Sequence, residues 1–553
     1  MVVVGGGHNG LICAAYLAAA GVDVCVVEKN EVCGGALFST VSPDGTVLER
    51  GGIDHSTIVA SPIPDELALD RHGLRYLART ESAVHLFGDG ARITIAPTAE
   101  ETAASIAAID RADGDAWLEL AALATELGAF TAELTDGHPI PLPVALAAGR
   151  AALGAKGRPL LDLATAPVVD EVQRRFTSPH VRAMGIARTT FSGLPAWYPG
   201  TAAVLAMTAS GHGRTYARPE GGSRAFVAAL ERAVTANGGR IVTGASVDTV
   251  RRDGDTWTVR TGGGTITARR AVVSAIPPQD LLTAMLEPAD LLGRRARRRL
   301  RDAEVVAANL GQFTLAAELD RHPDLGARTG AGYEGSMLWL TADPRDAMAS
   351  QTAAAMGGLA DRPPVVSTFP TVADPTLAPD GRGSFWVNGY LAARLARPGG
   401  WSADATDTLA ERVWATVGAC LGDVRDLVTE TIIATPADVS ARTGAENPGQ
   451  HLATTLGQMF GNRPLPGWGD HRSAIGGLYL TGAGTDPGPG ISGLPGRACA
   501  HAVLADLAGR DQQGDGGVGS SLRDRLRSTT GTGRAELDRL VRLTRRARAV
   551  RRG

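Results

Sequence analysis

Gly5, Gly7 and Gly10 stand in a GxGxxG spacing, Glu28 follows 18 residues after the last of them, and a second glycine pair, Gly34 and Gly35 before Ala36, comes six residues later. Each residue type has a use in binding a dinucleotide. The first glycine makes a tight turn, the second lets the backbone approach a pyrophosphate, and the third lets a helix pack close to its strand. An acid at the position of Glu28 accepts hydrogen bonds from ribose hydroxyls. His8 and Asn9 lie inside the turn, where a contact to the pyrophosphate or the ring suits them better than acid–base work. The elements needed to hold this array occur in the right order: Val2–Val4 reads as a short β-branched strand, residues 11–20 as a small-residue helix, and residues 22–27 as a second strand ending at the acid. The helix N-terminus then presents free N–H groups and the positive end of its dipole to phosphate.

Near the other end of the chain, the apolar run Leu478-Tyr479-Leu480 enters Gly482, Ala483 and Gly484, and Asp486, Gly490, Ile491, Ser492 and Gly493 precede a helix over 497–507. Glycine pairs beyond the first turn suit a flavin dinucleotide bound in extended form. In these residues the chain resembles the flavoprotein superfamily of phytoene desaturases, and within it the phytoene dehydrogenase-like branch that includes the pyridine nucleotide-disulfide oxidoreductase domain-containing proteins. The resemblance is carried by GGGHNG (5–10), EKNEVCGGA (28–36), ARPEGGSRAFVAAL (217–230) and LYLTGAGTDPGPGISGLPGR (478–497). It implies FAD as cofactor and an α/β fold, in which a Rossmann-type FAD-binding domain assembled from three segments carries an interleaved α+β substrate domain. It also implies cofactor contacts from Gly5, Gly7, His8, Asn9, Gly10, Glu28, Lys29, Gly34, Gly35, Ala36, Gly482, Gly484, Asp486, Gly490, Ile491, Ser492 and Gly493, with Val247 meeting the adenine through its backbone. The family usually has histidine where this chain has Asp486.

Strand patterns return over 240–250 and 271–276 after a long helix-rich stretch, so the FAD-binding domain is assigned to 1–59, 215–287 and 441–509. Residues 60–214 and 288–440 form the substrate-binding domain, helix-rich in the first block and mixed in the second. Strand-like runs at 313–317, 336–340 and 384–390 would floor its cavity. Phe191, Trp339, Trp386 and Tyr390 are concentrated here in a chain that is only 5% aromatic. Core packing accounts for most such residues, and an apolar ligand pocket would take the rest. Residues 510–553 are linker and tail; the stretch 523–553 holds eleven arginines against three acids. It reads as a solvated tail, with peripheral contact to an anionic membrane or an acidic partner as the alternative.

A formal net charge of −3 over 553 residues removes any global electrostatic case for nucleic acid as a partner. The cysteines Cys13, Cys25, Cys33, Cys420 and Cys499 form no CxxC pair and are odd in number, which disfavours a disulfide framework and a metal site alike. The chain opens without a charged and then apolar leader pattern and reads as cytoplasmic. Its longest stretch free of acids, Lys and Arg, 189–213, contains Gly193, Pro195, Pro199 and Gly200 and is no spanning helix.

A flavin carries hydride chemistry itself, leaving the protein to bind it, present a C–H bond and manage a proton. His451 in NPGQH is the first candidate base, His55 in GGIDH the second and Asp486 the third, although each also reads as structural. The reading is an FAD-dependent dehydrogenase or desaturase acting on a small apolar or natural-product skeleton, with oxygen, quinone or nicotinamide as electron acceptor. The alternatives are a flavin amine oxidase and a non-catalytic binding protein of the same fold, such as the Rab GDP-dissociation inhibitors. Amine oxidases that the chain resembles hold a lysine near the flavin ring. Of 55 basic residues only Lys29 and Lys156 are lysines, and neither is well placed for that.

Overall fold

The strand Val2–Val4 is buried on both faces, which a β-branched run can sustain only between neighbours in a covered parallel sheet. Those neighbours are Cys25–Val27 on one side and Val272–Ser274 on the other, both parallel to it and in register. In the computed structural model, which describes residues 1–80, 83–135, 157–330, 333–379, 381–446 and 451–512, the sheet continues outward to Arg240–Val242 beyond one neighbour and Leu478–Leu480 beyond the other. Five short parallel strands thus come from three separated stretches of chain, as a Rossmann-type domain built from several segments requires. The strand order reverses direction at Val2–Val4, and in open α/β sheets ligands bind in the crevice at that switch point.

The helix His8–Ala19 packs between the helices Ser223–Ala236 and Leu494–Gln512, and Leu11, Ile12, Leu17, Phe226, Leu230 and Val503 fill the space between them with no exposed surface. Beyond this sheet an antiparallel meander runs through Val247–Asp253, Thr256–Thr261 and Gly264–Ala268.

The second body is built on a seven-stranded sheet in the order Val428–Ala434, Leu310–Leu319, Gly383–Ala392, Val365–Thr368, Met337–Thr341, Ala83–Phe87, Arg92–Ile95. The expected runs at 313–317 and 384–390 fall within it, and that at 336–340 begins one residue before the strand Met337–Thr341. The first block contributes more strand than its helix-rich reading allows: Tyr76–Thr80, Ala83–Phe87 and Arg92–Ile95, the last two joining this sheet. Alternation divides its faces. Phe313, Leu315, Phe385 and Val387 form a core with Leu409, Val413 and Val417 of the helix Ala403–Leu421. The intervening residues Gln312, Thr314, Trp386, Asn388 and Tyr390 face the other way. Among the described residues no helix is long and apolar enough to cross a membrane. The basic stretch 523–553 lies outside the described residues.

Candidate functional site

A cleft opens where the carboxyl ends of the parallel strands meet the seven-stranded sheet. Gly5, Gly7, His8, Asn9, Gly10, Glu28, Lys29, Gly35, Ala36, Val247, Gly482, Gly490 and Ile491 line it, joined by Arg50, Gly51, Gly52, Gln312, Thr314 and His451. Residues from both ends of the chain and the middle therefore share one site, as the motif reading requires.

The glycines divide by task. A Cβ on Gly10 would overlap the Gly5 carbonyl oxygen and press on Ala275, whereas one on Gly7 would meet only the Gly35 Cα, at 3.9 Å. Gly10 therefore serves helix–strand packing, and Gly7 keeps open space in front of the helix. That helix starts after Gly7 with no side-chain cap and no acid in its first turn, so its leading N–H groups remain available to an anion. Gly34 donates its N–H to the Gly6 carbonyl at 2.9 Å and has φ of 127°, a region that only glycine adopts readily.

Gly34, Gly484, Asp486, Ser492 and Gly493 stand behind the lining residues and shape the wall. Gly484 abuts Pro278, and Gly493 abuts Ile12, Ile58 and Ile63. The Ser492 hydroxyl accepts from the Leu494 N–H at 3.3 Å.

Glu28 is 5% exposed. It accepts from Gly6 N at 2.8 Å, Asn30 N at 3.0 Å and Asn30 Nδ2 at 2.6 Å, three of the roughly four sites a carboxylate offers. Arg50 has a buried Nε with no hydrogen-bond partner among the described residues. A neutral backbone opening, an uncapped helix start and an arginine with spare donor capacity fit the pyrophosphate of FAD, and Glu28 fits its ribose. Lys29 stands at the mouth beside Glu28, where its Nζ donates to the Ala441 carbonyl at 2.9 Å. Lys156 lies outside the described residues.

The three candidate bases separate clearly. His451 lines the cleft, lies against Gly482 and Gly484, and has a buried Nδ1 without a partner among the described residues. Burial, aided by the positive charge of Arg463, pushes its pKa down to about 3. His55 is fully buried behind the wall, with Nδ1 3.3 Å from the Tyr76 hydroxyl, Nε2 3.3 Å from Ser223 Oγ and its ring edge-on to Phe226. Both its nitrogens are engaged by the protein, and this occupies the capacity that a base would need. Burial raises the Asp486 carboxyl to about 6, against the opposing pull of a backbone hydrogen bond from Gly461 and the charge of Arg463.

Arg463 was not singled out by any motif. It has no exposed surface and donates to the carbonyls of Ala483 (2.9 Å), Leu452 (2.7 Å) and Ala453 (3.2 Å), clamping the His451 segment onto the C-terminal glycine turn. Nothing distinguishes it in sequence from the other arginines, because its acceptors are backbone atoms brought together by the fold.

Fold and cleft together define an FAD-binding flavoprotein oxidoreductase. Residues 160–488 match the family of flavin containing amine oxidoreductases, and residues 3–57 match the NAD(P)-binding Rossmann-like domain. The chain belongs to the flavin containing amine oxidoreductase family, and its cofactor is FAD. It is 27% identical over 550 residues to pyridine nucleotide-disulfide oxidoreductase domain-containing protein 2 of Rattus norvegicus, covering 92% of this chain and 93% of that one. A shorter likeness, 33% over 120 residues and 22% of each chain, is to a limonene dehydrogenase chain of Castellaniella defragrans. Among solved structures, wild-type putrescine oxidase bound to putrescine superposes with a TM-score of 0.59 at 18% identity, covering 92% of this chain and 98% of that one. The narrower resemblance to phytoene desaturases is not what the family match specifies.

Proposed function

We propose that the chain is an FAD-dependent dehydrogenase that removes hydride from a carbon of a largely apolar skeleton. The observation that carries this reading is the wall beyond the cofactor cleft. There Phe191, Trp339, Val366 and Tyr390 enclose a small space in which no carboxylate takes part among the described residues. The guanidinium of Arg188 already lies 4.8 Å from the Trp339 ring centre. A protonated amine would enter an aromatic space that offers no acid to receive it, and burying an ammonium without a partner is costly. A neutral skeleton meets no such penalty. The name of the limonene dehydrogenase relative supports the same class of substrate.

Bound FAD supplies the hydride acceptor. The chain's own residues bind and orient: the helix start and Gly7 receive the pyrophosphate, Glu28 the ribose, and the aromatic wall shields the reacting carbon, while the proton left when hydride departs is released to water. His451 is the one candidate base lining the cleft. Its imidazole is neutral throughout the physiological range, so it offers one donor and one acceptor and is assigned to holding the cofactor-side wall. Amine oxidation is the second reading, favoured by the family match and the likeness to putrescine oxidase.

Product analysis tests the choice between them. Loss of two hydrogens from the carbon skeleton, with no ammonia released, is the expected outcome; stoichiometric ammonia would sink the dehydrogenase reading.

A further inference from the structure

Four side chains on the seven-stranded sheet, His85, Ser384, Trp386 and Asn388, have a buried polar atom without a hydrogen-bond partner among the described residues, and two of them, Trp386 and Asn388, lie on one face of one strand. Trp386 and Asn388 are 3% and 1% exposed, yet the Trp386 Nε1–H and Asn388 Oδ1 have no hydrogen-bond partner among the described residues. Leaving a buried polar group unsatisfied is costly, and such groups call for an explanation. The two residues sit two positions apart on the same strand, so they share a face with Cα atoms about 6.7 Å apart. Phe191, Trp339 and Val366 flank both.

That face is continuous with the cofactor cleft. Asn388 pairs directly with Thr314 across the strands, Thr314 lines the cleft, and side chains in such a pair lie about 5 Å apart at Cβ. Asn388 also borders a void of about 10 Å³ with Thr190 and Phe191, room for one oxygen atom and its hydrogen.

We propose that Trp386 and Asn388 recognise a hydroxyl group on the substrate. The inference rests on the dehydrogenase reading and narrows its substrate class to a largely apolar skeleton bearing an alcohol. An indole N–H only donates and an amide oxygen only accepts, so the ligand group that completes both must accept and donate at once. A hydroxyl does so, and it still does if the amide is turned. A protonated amine donates only and leaves Trp386 unmet, while a hydrocarbon meets neither.

The test uses the FAD-loaded enzyme under nitrogen and four matched probes: cyclohexanol, cyclohexanone, methylcyclohexane and cyclohexylamine. Binding is read from the perturbed flavin spectrum and from the indole N–H resonance of Trp386, assigned with Trp386→Phe. Cyclohexanol should bind about tenfold tighter than methylcyclohexane, the effect of one buried hydrogen-bonded group, and should shift the Trp386 resonance. Asn388→Leu, with unchanged FAD content, should abolish the preference. Equal affinities, a preference for the ketone or the amine, or no binding of cyclohexanol up to its solubility would overturn the inference, and so would an alcohol preference that survives Asn388→Leu. Ammonia production would strike the dehydrogenase reading, whereas dehydrogenation of skeletons without regard to a hydroxyl would strike this inference alone.

Discussion

Substituting two glycines of one turn should give opposite results. Gly7→Ala adds a methyl group whose only close protein neighbour is Gly35 Cα at 3.9 Å, at a residue with φ of −67° that any L-amino acid adopts. Its effect on the stability of the cofactor-free chain should stay within about 0.5 kcal/mol. Gly10→Ala drives a methyl into the Gly5 carbonyl and to within 3.0 Å of the Ala275 Cβ, an overpacking that costs about 1–3 kcal/mol. Cofactor binding separates the two further. At 100 times its dissociation constant, FAD stabilises the folded chain by about 2.7 kcal/mol, and a methyl standing where the pyrophosphate must approach removes that increment. The assay is urea unfolding with and without added FAD, together with flavin content after gel filtration. Gly7→Ala should unfold like the cofactor-free wild type under both conditions and emerge colourless, while Gly10→Ala should be destabilised even without FAD. Full flavin content in Gly7→Ala would refute the assignment of this turn.

His451→Ala should weaken FAD retention more than it alters the rate of flavin reduction in molecules that remain loaded; the reverse pattern would restore the histidine as the base. Lys29→Ala should leave flavin reduction within twofold of wild type, because its ammonium is held at the mouth by Ala441, and a collapse of the rate would favour the amine oxidase reading. Glu49 supplies a pH test. It is 4% exposed, and burial raises its carboxyl to about 7, opposed by the hydrogen bond from Ser223 N and the charge of Arg218. The folded chain thus holds this proton more tightly than the unfolded chain, so stability is fully present below the ordinary glutamate range and falls as pH rises towards 7. The loss is about 3 kcal/mol at most. Glu49→Gln should remove that slope and gain stability relative to wild type between pH 5 and 8 in paired urea titrations; a constant difference would refute it.

The cofactor cleft was legible in sequence because glycine spacing reports backbone geometry directly: Gly5 turns at a φ of 101°, and a Cβ on Gly10 would overlap the Gly5 carbonyl. The substrate side was far less legible. Ala83–Phe87 is a five-residue run buried throughout, too short, and apart from its central histidine too apolar, for periodicity to separate strand from helix. Its His85 finds its meaning only by stacking at 5.3 Å on Trp339, about 250 residues away in the chain. His55 follows a glycine pair and so invites a catalytic reading, but its partners Tyr76 and Ser223 come from other elements. Trp386 and Asn388 look like ordinary strand residues; only the pairing of Asn388 with Thr314 places them beside the cleft.

Anaerobic mixing of the yellow enzyme with terpenoid alcohols and hydrocarbons on one side, and with primary amines and polyamines on the other, tests the central claim most directly. The dehydrogenase account predicts that the oxidised flavin band bleaches with a neutral carbon skeleton and stays intact with the amines. Bleaching by amines alone would contradict it.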